Sequence, residues 1–139
     1  MAHQGSVAVR AGDSGRRVYW VPSRIIRRLG DEQLHTPPPI DRFVQAVNQG
    51  DSQTFLSVFP NDGVVIDSGW RFAGHDAVRR WSDREFIGAH GRMTVKKVEQ
   101  KKNVVTVRAD WKSNYYTGTA RFEFVLDGEQ VRELRIKGE

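Results

Sequence analysis

The sequence contains no cysteine. Disulfides, thiolate nucleophiles and thiolate metal sites are therefore excluded. No apolar run approaches the roughly 18 residues that a membrane-spanning helix needs, so no membrane partner is expected. Arg10, Arg16 and Arg17 are followed by no signal-type hydrophobic segment, and the expected location is cytoplasmic. His3, His35, His75 and His90 lack metal-ligand spacing, so neither a metal nor another cofactor is expected. A concentrated charge of one sign is also missing. The net charge is +5, but residues 1–39 hold six Lys/Arg against three Asp/Glu and residues 40–139 hold sixteen against fourteen. A nucleic-acid-binding domain usually carries its basic excess on the folded face, so nucleic acid is not an expected partner.

Residues 1–39 show no sustained periodicity. Val18-Tyr19-Trp20-Val21 has the character of a short strand, and residues 23–29 that of a basic helix ended by Gly30. Residues 1–36 are read as a basic extension, either flexible or an arm that packs on a partner subunit or acidic surface through Trp20, Ile25, Ile26 and Leu29. Thr36-Pro37-Pro38-Pro39 marks the boundary, since consecutive prolines stiffen the chain and stay out of helix interiors. Thr36 is expected to cap the next helix.

Residues 37–139 then read as one α+β domain. Ile40, Phe43, Val44 and Val47 fall at helical spacing, and Gly50 ends that helix. Asp51 caps a second helix with Phe55, Leu56 and Phe59 on its buried side. Val64-Val65-Ile66-Asp67 is β-branched and extended, Trp70 to Ala73 returns as a second strand, and a third helix runs from His75 to about Ile87. After it come strands over residues 92–99 (Met93, Val95 and Lys97 on one face), 104–116 (Trp111, Ser113 and Tyr115 on one face, with Gly118 permitting a bend), 120–126 and 131–136. Asp127-Gly128 is a two-residue hairpin turn. Successive hairpins give antiparallel pairing, and a bent sheet wrapped around a helix leaves a cone with an open mouth.

Asp67 is the residue of interest. It shares a strand face with Val65 and so borders an apolar interior. A carboxylate there finds a partner or holds its proton more tightly, which suits a general base. The alternative is a structural Asp bonded to the N–H groups of the Ser68-Gly69 turn. Trp81 and Trp111 are candidate pocket walls or core residues. Phe122 shares the inner face of its strand with Ala120. Tyr115 is a candidate donor at the mouth, and His90, between Gly88 and Gly91, is a candidate acid/base partner or a solvated loop residue. Arg84 and Glu85 end the third helix, where either faces the pocket or solvent. Asp110 lies opposite Trp111 on the sheet surface.

The element order and its local words resemble the nuclear-transport-factor-2-like superfamily, in its SnoaL-like polyketide cyclase and ketosteroid isomerase branches. Those words are Phe43-Val44-Gln45-Ala46-Val47-Asn48-Gln49-Gly50-Asp51, Val65-Ile66-Asp67, Phe72-Ala73-Gly74 with Ala77-Val78-Arg79, and Leu126-Asp127-Gly128 with Leu134-Arg135-Ile136. The resemblance covers about residues 37–137 and implies a cone-shaped α+β fold. It puts Asp67 at the base position of ketosteroid isomerases. It puts Phe43 and Ala120 at or near the positions of the two oxyanion donors, neither of which is kept. Loss of one such donor costs about 2.7–4 kcal/mol, which argues against steroid isomerisation by that mechanism. An Asp67, Asp110 and arginine arrangement of limonene-epoxide-hydrolase type has no specific support in the spacing.

The expectation is cofactor-free acid/base chemistry on a hydrophobic carbonyl compound, with Asp67 as base, Tyr115, His90 or water serving the oxyanion, and Phe43, Trp81, Trp111, Ala120 and Phe122 around the ligand. The alternative is a non-catalytic ligand-binding or dimerisation module. Arg108, Asp110, Lys112, Arg121 and Glu123 on the wet sheet face are expected to form a homodimer.

Overall fold

A computed structural model of the chain describes residues 34–139 and the backbones of two short strands, β1 (Arg10–Ala11) and β2 (Arg17–Val18), paired antiparallel. The strand expected over residues 18–21 lies outside these apart from Val18, and the basic helix of residues 23–29 lies outside entirely.

The first helix, α1 (Ile40–Gln49), buries Ile40, Phe43, Val44 and Val47 as the spacing requires, and Ala46 beside them. Its N-terminus corrects the expected Thr36 cap. Pro39 holds the cap position without a side-chain bond, and the carbonyls of Pro37 and Pro39 accept the N–H groups of Asp41 and Phe43 at 3.1 and 3.2 Å. The helix donors are met by the proline turn itself, so a hydroxyl cap is not needed. Gly50 ends the helix at φ 72°. Asp51 caps α2 (Ser52–Ser57), its carboxylate accepting the Thr54 N–H at 3.0 Å and the Thr54 hydroxyl at 2.7 Å. Those bonds hold Asp51 below the usual carboxylate range. Phe55 and Phe59 are buried, but Val58 takes the third buried place expected of Leu56, which is only partly covered. The reason is that α2 stops at Ser57 and the chain turns there.

The main sheet has six strands in the order β4-β3-β8-β7-β6-β5. They are β3 (Val64–Asp67), β4 (Trp70–Ala73), β5 (Arg92–Lys101), β6 (Val104–Lys112), β7 (Thr117–Asp127) and β8 (Gln130–Gly138). Between β4 and β5 lie α3 (His75–Glu85) and a single 3₁₀ turn over Ile87–Ala89. Every pairing is antiparallel except β3 with β8, which is parallel. That pairing joins the β3–β4 hairpin to the meander.

Two register details differ from the alternation read in the sequence. A bulge between Val95 and Lys97 brings Val98, not Lys97, to the inner face with Met93 and Val95. An inserted residue reverses the faces beyond it and bends the strand. The expected strand over residues 104–116 stops at Lys112. Ser113 turns the chain, its Oγ accepting the N–H groups of Tyr115 and Tyr116 at 3.1 and 3.2 Å. Gly118 accordingly lies inside β7 opposite Trp111. It is not a bend. A Cβ there would stand 2.7 Å from the Tyr116 hydroxyl, so the residue makes room for that ring.

The closed end of the cone is filled by aromatic rings. Phe43 packs edge-on to Phe124 at 5.0 Å and tilted on Phe55 at 5.6 Å. Burying each such side chain contributes about 1.5–3 kcal/mol.

Candidate functional site

Asp67 is the last residue of β3, held between Trp70 of β4 and Ile136 of β8. The β3–β4 hairpin closes through Ser68 and Gly69 at φ 52° and 92°, the two positive angles of the turn type whose twist matches the strands. The Ser68 N–H is donated to the Ile136 carbonyl at 2.9 Å, so this turn N–H is not spent on Asp67. The Asp67 carboxylate instead accepts the Trp81 indole N–H at 3.0 Å on Oδ2 and the Ser68 hydroxyl at 3.5 Å on Oδ1. The reading of Asp67 as an acid tied by the turn's main chain is not what the structure shows.

The carboxyl is half-buried, and that desolvation pushes its pKa up. The Trp81 bond opposes the shift, and the nearby Glu85 charge adds to it. A carboxyl raised in this way accepts protons at a pH nearer neutrality.

Asp67 opens onto a cavity of about 260 Å³. The volume lies just under the roughly 300–1,000 Å³ of drug-sized ligand sites and suits a smaller molecule. Trp111, Ala120 and Phe122 line it, together with Phe86 and Ile136. Tyr115 stands at the mouth, 69% exposed, and Tyr116 lines the same rim.

Other expected site residues lie elsewhere. Phe43 is a correction: it is fully buried in the filled end of the cone, away from the cavity lining, because Phe55, Phe86 and Phe124 enclose it. Trp81 is also buried and does not form a wall. It stacks on Phe86 at 4.7 Å and acts on the site through its bond to Asp67. His90 is a second correction. It follows the 3₁₀ turn at φ 59°, exposed and outside the lining, because the αL backbone there turns the chain toward β5. Asp110 is exposed on the outer face, 3.9 Å from Lys96, and not beside Asp67.

Several lining residues were not singled out from the sequence: Ser68, Phe86 and Tyr116 among them. Glu85, whose place at the end of α3 allows either pocket or solvent, lies at the rim, 3.3 Å from Arg84. Phe86 breaks the helical backbone after α3, with φ −120° and ψ −91°. Its ring lies parallel to Trp111, 4.6 Å away, so these two rings form one wall.

The curved six-stranded sheet and its helices thus carry an acid at the edge of an aromatic-lined cavity. The family model described as SnoaL-like domain matches residues 40–136, and the chain belongs to that family. Among solved structures it is similar to a proposed polyketide cyclase of Sinorhizobium meliloti, with TM-score 0.66, 21% identity, and coverage of 70% of this chain and 92% of the other. A nuclear-transport-factor-2-like protein of unknown function from Cytophaga hutchinsonii has TM-score 0.63, 14% identity, and coverage of 76% and 95%. A protein of ketosteroid-isomerase-like fold from Catenulispora acidiphila, solved with trimethylamine, has TM-score 0.63, 16% identity, and coverage of 74% and 86%. Identities this low establish a shared fold. No curated protein matches the sequence.

Among the described residues no helix is long and apolar enough to cross a membrane, and no three His, Asp or Glu converge as metal ligands.

Proposed function

We propose that the protein is a small-molecule enzyme performing cofactor-free proton transfer on a hydrophobic carbonyl compound, with Asp67 as general base. One observation carries the reading. A carboxylate with a raised pKa faces an aromatic cavity, and one of its oxygens has only a long 3.5 Å hydroxyl contact. Asp67 removes a proton from the carbon beside the carbonyl. The carbon–hydrogen electron pair forms the enolate, and the proton returns to the same carbon or to one conjugated with it. Trp81 holds the other carboxylate oxygen and keeps the base in position. The rim hydroxyl of Tyr115, or water, serves the developing oxyanion.

The test is exchange of α-hydrogen for deuterium in D₂O, followed by NMR over a panel of hydrophobic ketones, aminoketones and β-dicarbonyls. The native protein accelerates exchange of at least one member. Asp67→Asn lowers that rate by about 10²–10⁴-fold, the usual contribution of a positioned acid or base, with ligand affinity unchanged. Equal exchange by the variant, or no exchange across the panel by the native protein, refutes the base. Retained binding with no exchange at all supports the non-catalytic ligand-binding reading.

A further inference from the structure

We propose that the ligand of this cavity carries a protonated amine, held at Glu85 on the rim and away from the Asp67 base, with its apolar part against Trp111 and Phe122. The inference rests on the reading of the cavity as the substrate site and names the substrate class: an amine-bearing carbonyl compound.

The lining carries the argument. Lys and Arg outnumber Asp and Glu by 22 to 17 in the whole chain. The cavity reverses this, because its lining includes two carboxylates, Asp67 and Glu85, and no Lys, Arg or His. Half of the rest is aromatic: Phe86, Trp111, Tyr115, Tyr116 and Phe122. Aromatic rings attract cations through their quadrupole, and a half-enclosed site weakens the competition from water. A substrate bearing a carboxylate or phosphate meets the opposite situation, since like charges brought together at an interface are penalised.

The charge also answers a chemical need. Proton removal by Asp67 places negative charge on the carbonyl oxygen, and the lining offers that oxygen no fixed cation. A substrate ammonium brings one. Arg84 is the basic group found against Glu85, at 3.3 Å, with both side chains about half exposed. Such a surface pair is weak, so it does little to keep a bound amine from Glu85.

Three isosteres provide the test: choline, 3,3-dimethylbutan-1-ol and 3,3-dimethylbutanoate, which share a branched head and differ in charge. Calorimetric titration at low ionic strength, with the Trp111 indole resonance reporting occupancy, measures each. Choline is expected to bind about tenfold or more tighter than the alcohol, as one added charge interaction implies, with the carboxylate weakest. Glu85→Gln brings choline close to the alcohol and leaves the alcohol unchanged. Arg84→Gln, which frees Glu85, tightens choline. Equal binding of choline and alcohol, with Glu85→Gln without effect, overturns the amine proposal. It leaves the Asp67 base standing, because the alcohol still occupies the cavity and deuterium exchange is measured separately. Absence of binding by all three, with the Trp111 resonance unmoved, overturns both the amine and the cavity as a ligand site.

Discussion

Ionised Asp67 costs the folded state something. Burial raises its carboxyl above the ordinary value, so the native protein holds this proton more tightly than the unfolded chain does. The native state then binds more protons, and stability falls as pH rises through the carboxylate range up to the folded value, beyond which it is level. Asp67→Asn keeps an oxygen for the Trp81 indole N–H and removes the charge. Thermal unfolding should give the variant the higher Tm at pH 7, with the advantage gone below about pH 4, near the unperturbed Asp value. Equal Tm values at neutral pH would show that the site does not penalise the charge. Asp51 has the opposite sign. Its lowered pKa contributes stability that is present above the unfolded value and lost on acidification. The capping role of Asp51 was legible from the residue that ends one helix and begins the next. The partner of Asp67 was not. Trp81 lies fourteen residues away on α3, and which way that helix rotates against β3 is a matter of packing.

Between α3 and β5 the chain turns a tight corner, and its glycines are there for want of space. A Cβ on Gly91 would overlap the Trp111 ring and come within 3.0 Å of the Phe86 carbonyl. Gly91→Ala must therefore displace the ring that walls the cavity. Overpacking of this kind costs about 1–3 kcal/mol, and denaturant unfolding should show that loss together with a changed near-UV tryptophan signal. A variant as stable as the parent with the same signal would mean that the corner yields elsewhere. The elements themselves were read well where periodicity was clean, as in α1 and in the Asp127-Gly128 hairpin. They were misread where alternation continued past a real break. Ser113 and Tyr115 extend the pattern of β6, yet the Ser113 hydroxyl captures two backbone N–H groups and makes a turn. The bulge at Val95 is similar, since apolar content alone does not reveal an inserted residue.

Across the described residues nothing covers the outer face of the sheet at Arg108, Asp110 and Lys112. We propose that two copies pair through it. Arg108, Asp110 and Lys112 are exposed there, and Arg121 and Glu123 partly so. Arg108 and Arg121 both reach Glu139 within one copy, at 3.1 and 3.7 Å. Exposed pairs of this kind are weak and salt-screened, so their groups can be re-paired across a two-fold axis. Sedimentation equilibrium should give a mass near twice 15.9 kDa, falling toward the single chain in high salt. A single-chain mass at tens of micromolar would end the dimer.

The sequence by itself determined the class of fold, because helical stripes, strand alternation and turn residues are local patterns with local causes. It also marked Asp67, since a carboxylate at the end of a β-branched strand stands out wherever the strand goes. Only the tertiary structure decided which rings fill the cone and which leave it open. Phe43 and Phe122 look alike as inner-face residues, but one is enclosed by other rings and the other borders the cavity. The same holds for the electrostatics of the site. The proton affinity of Asp67 depends on how much water packing removes, on an indole from α3 and on a carboxylate at that helix's end, and these distances exist only once β3, α3 and the meander have closed on one another.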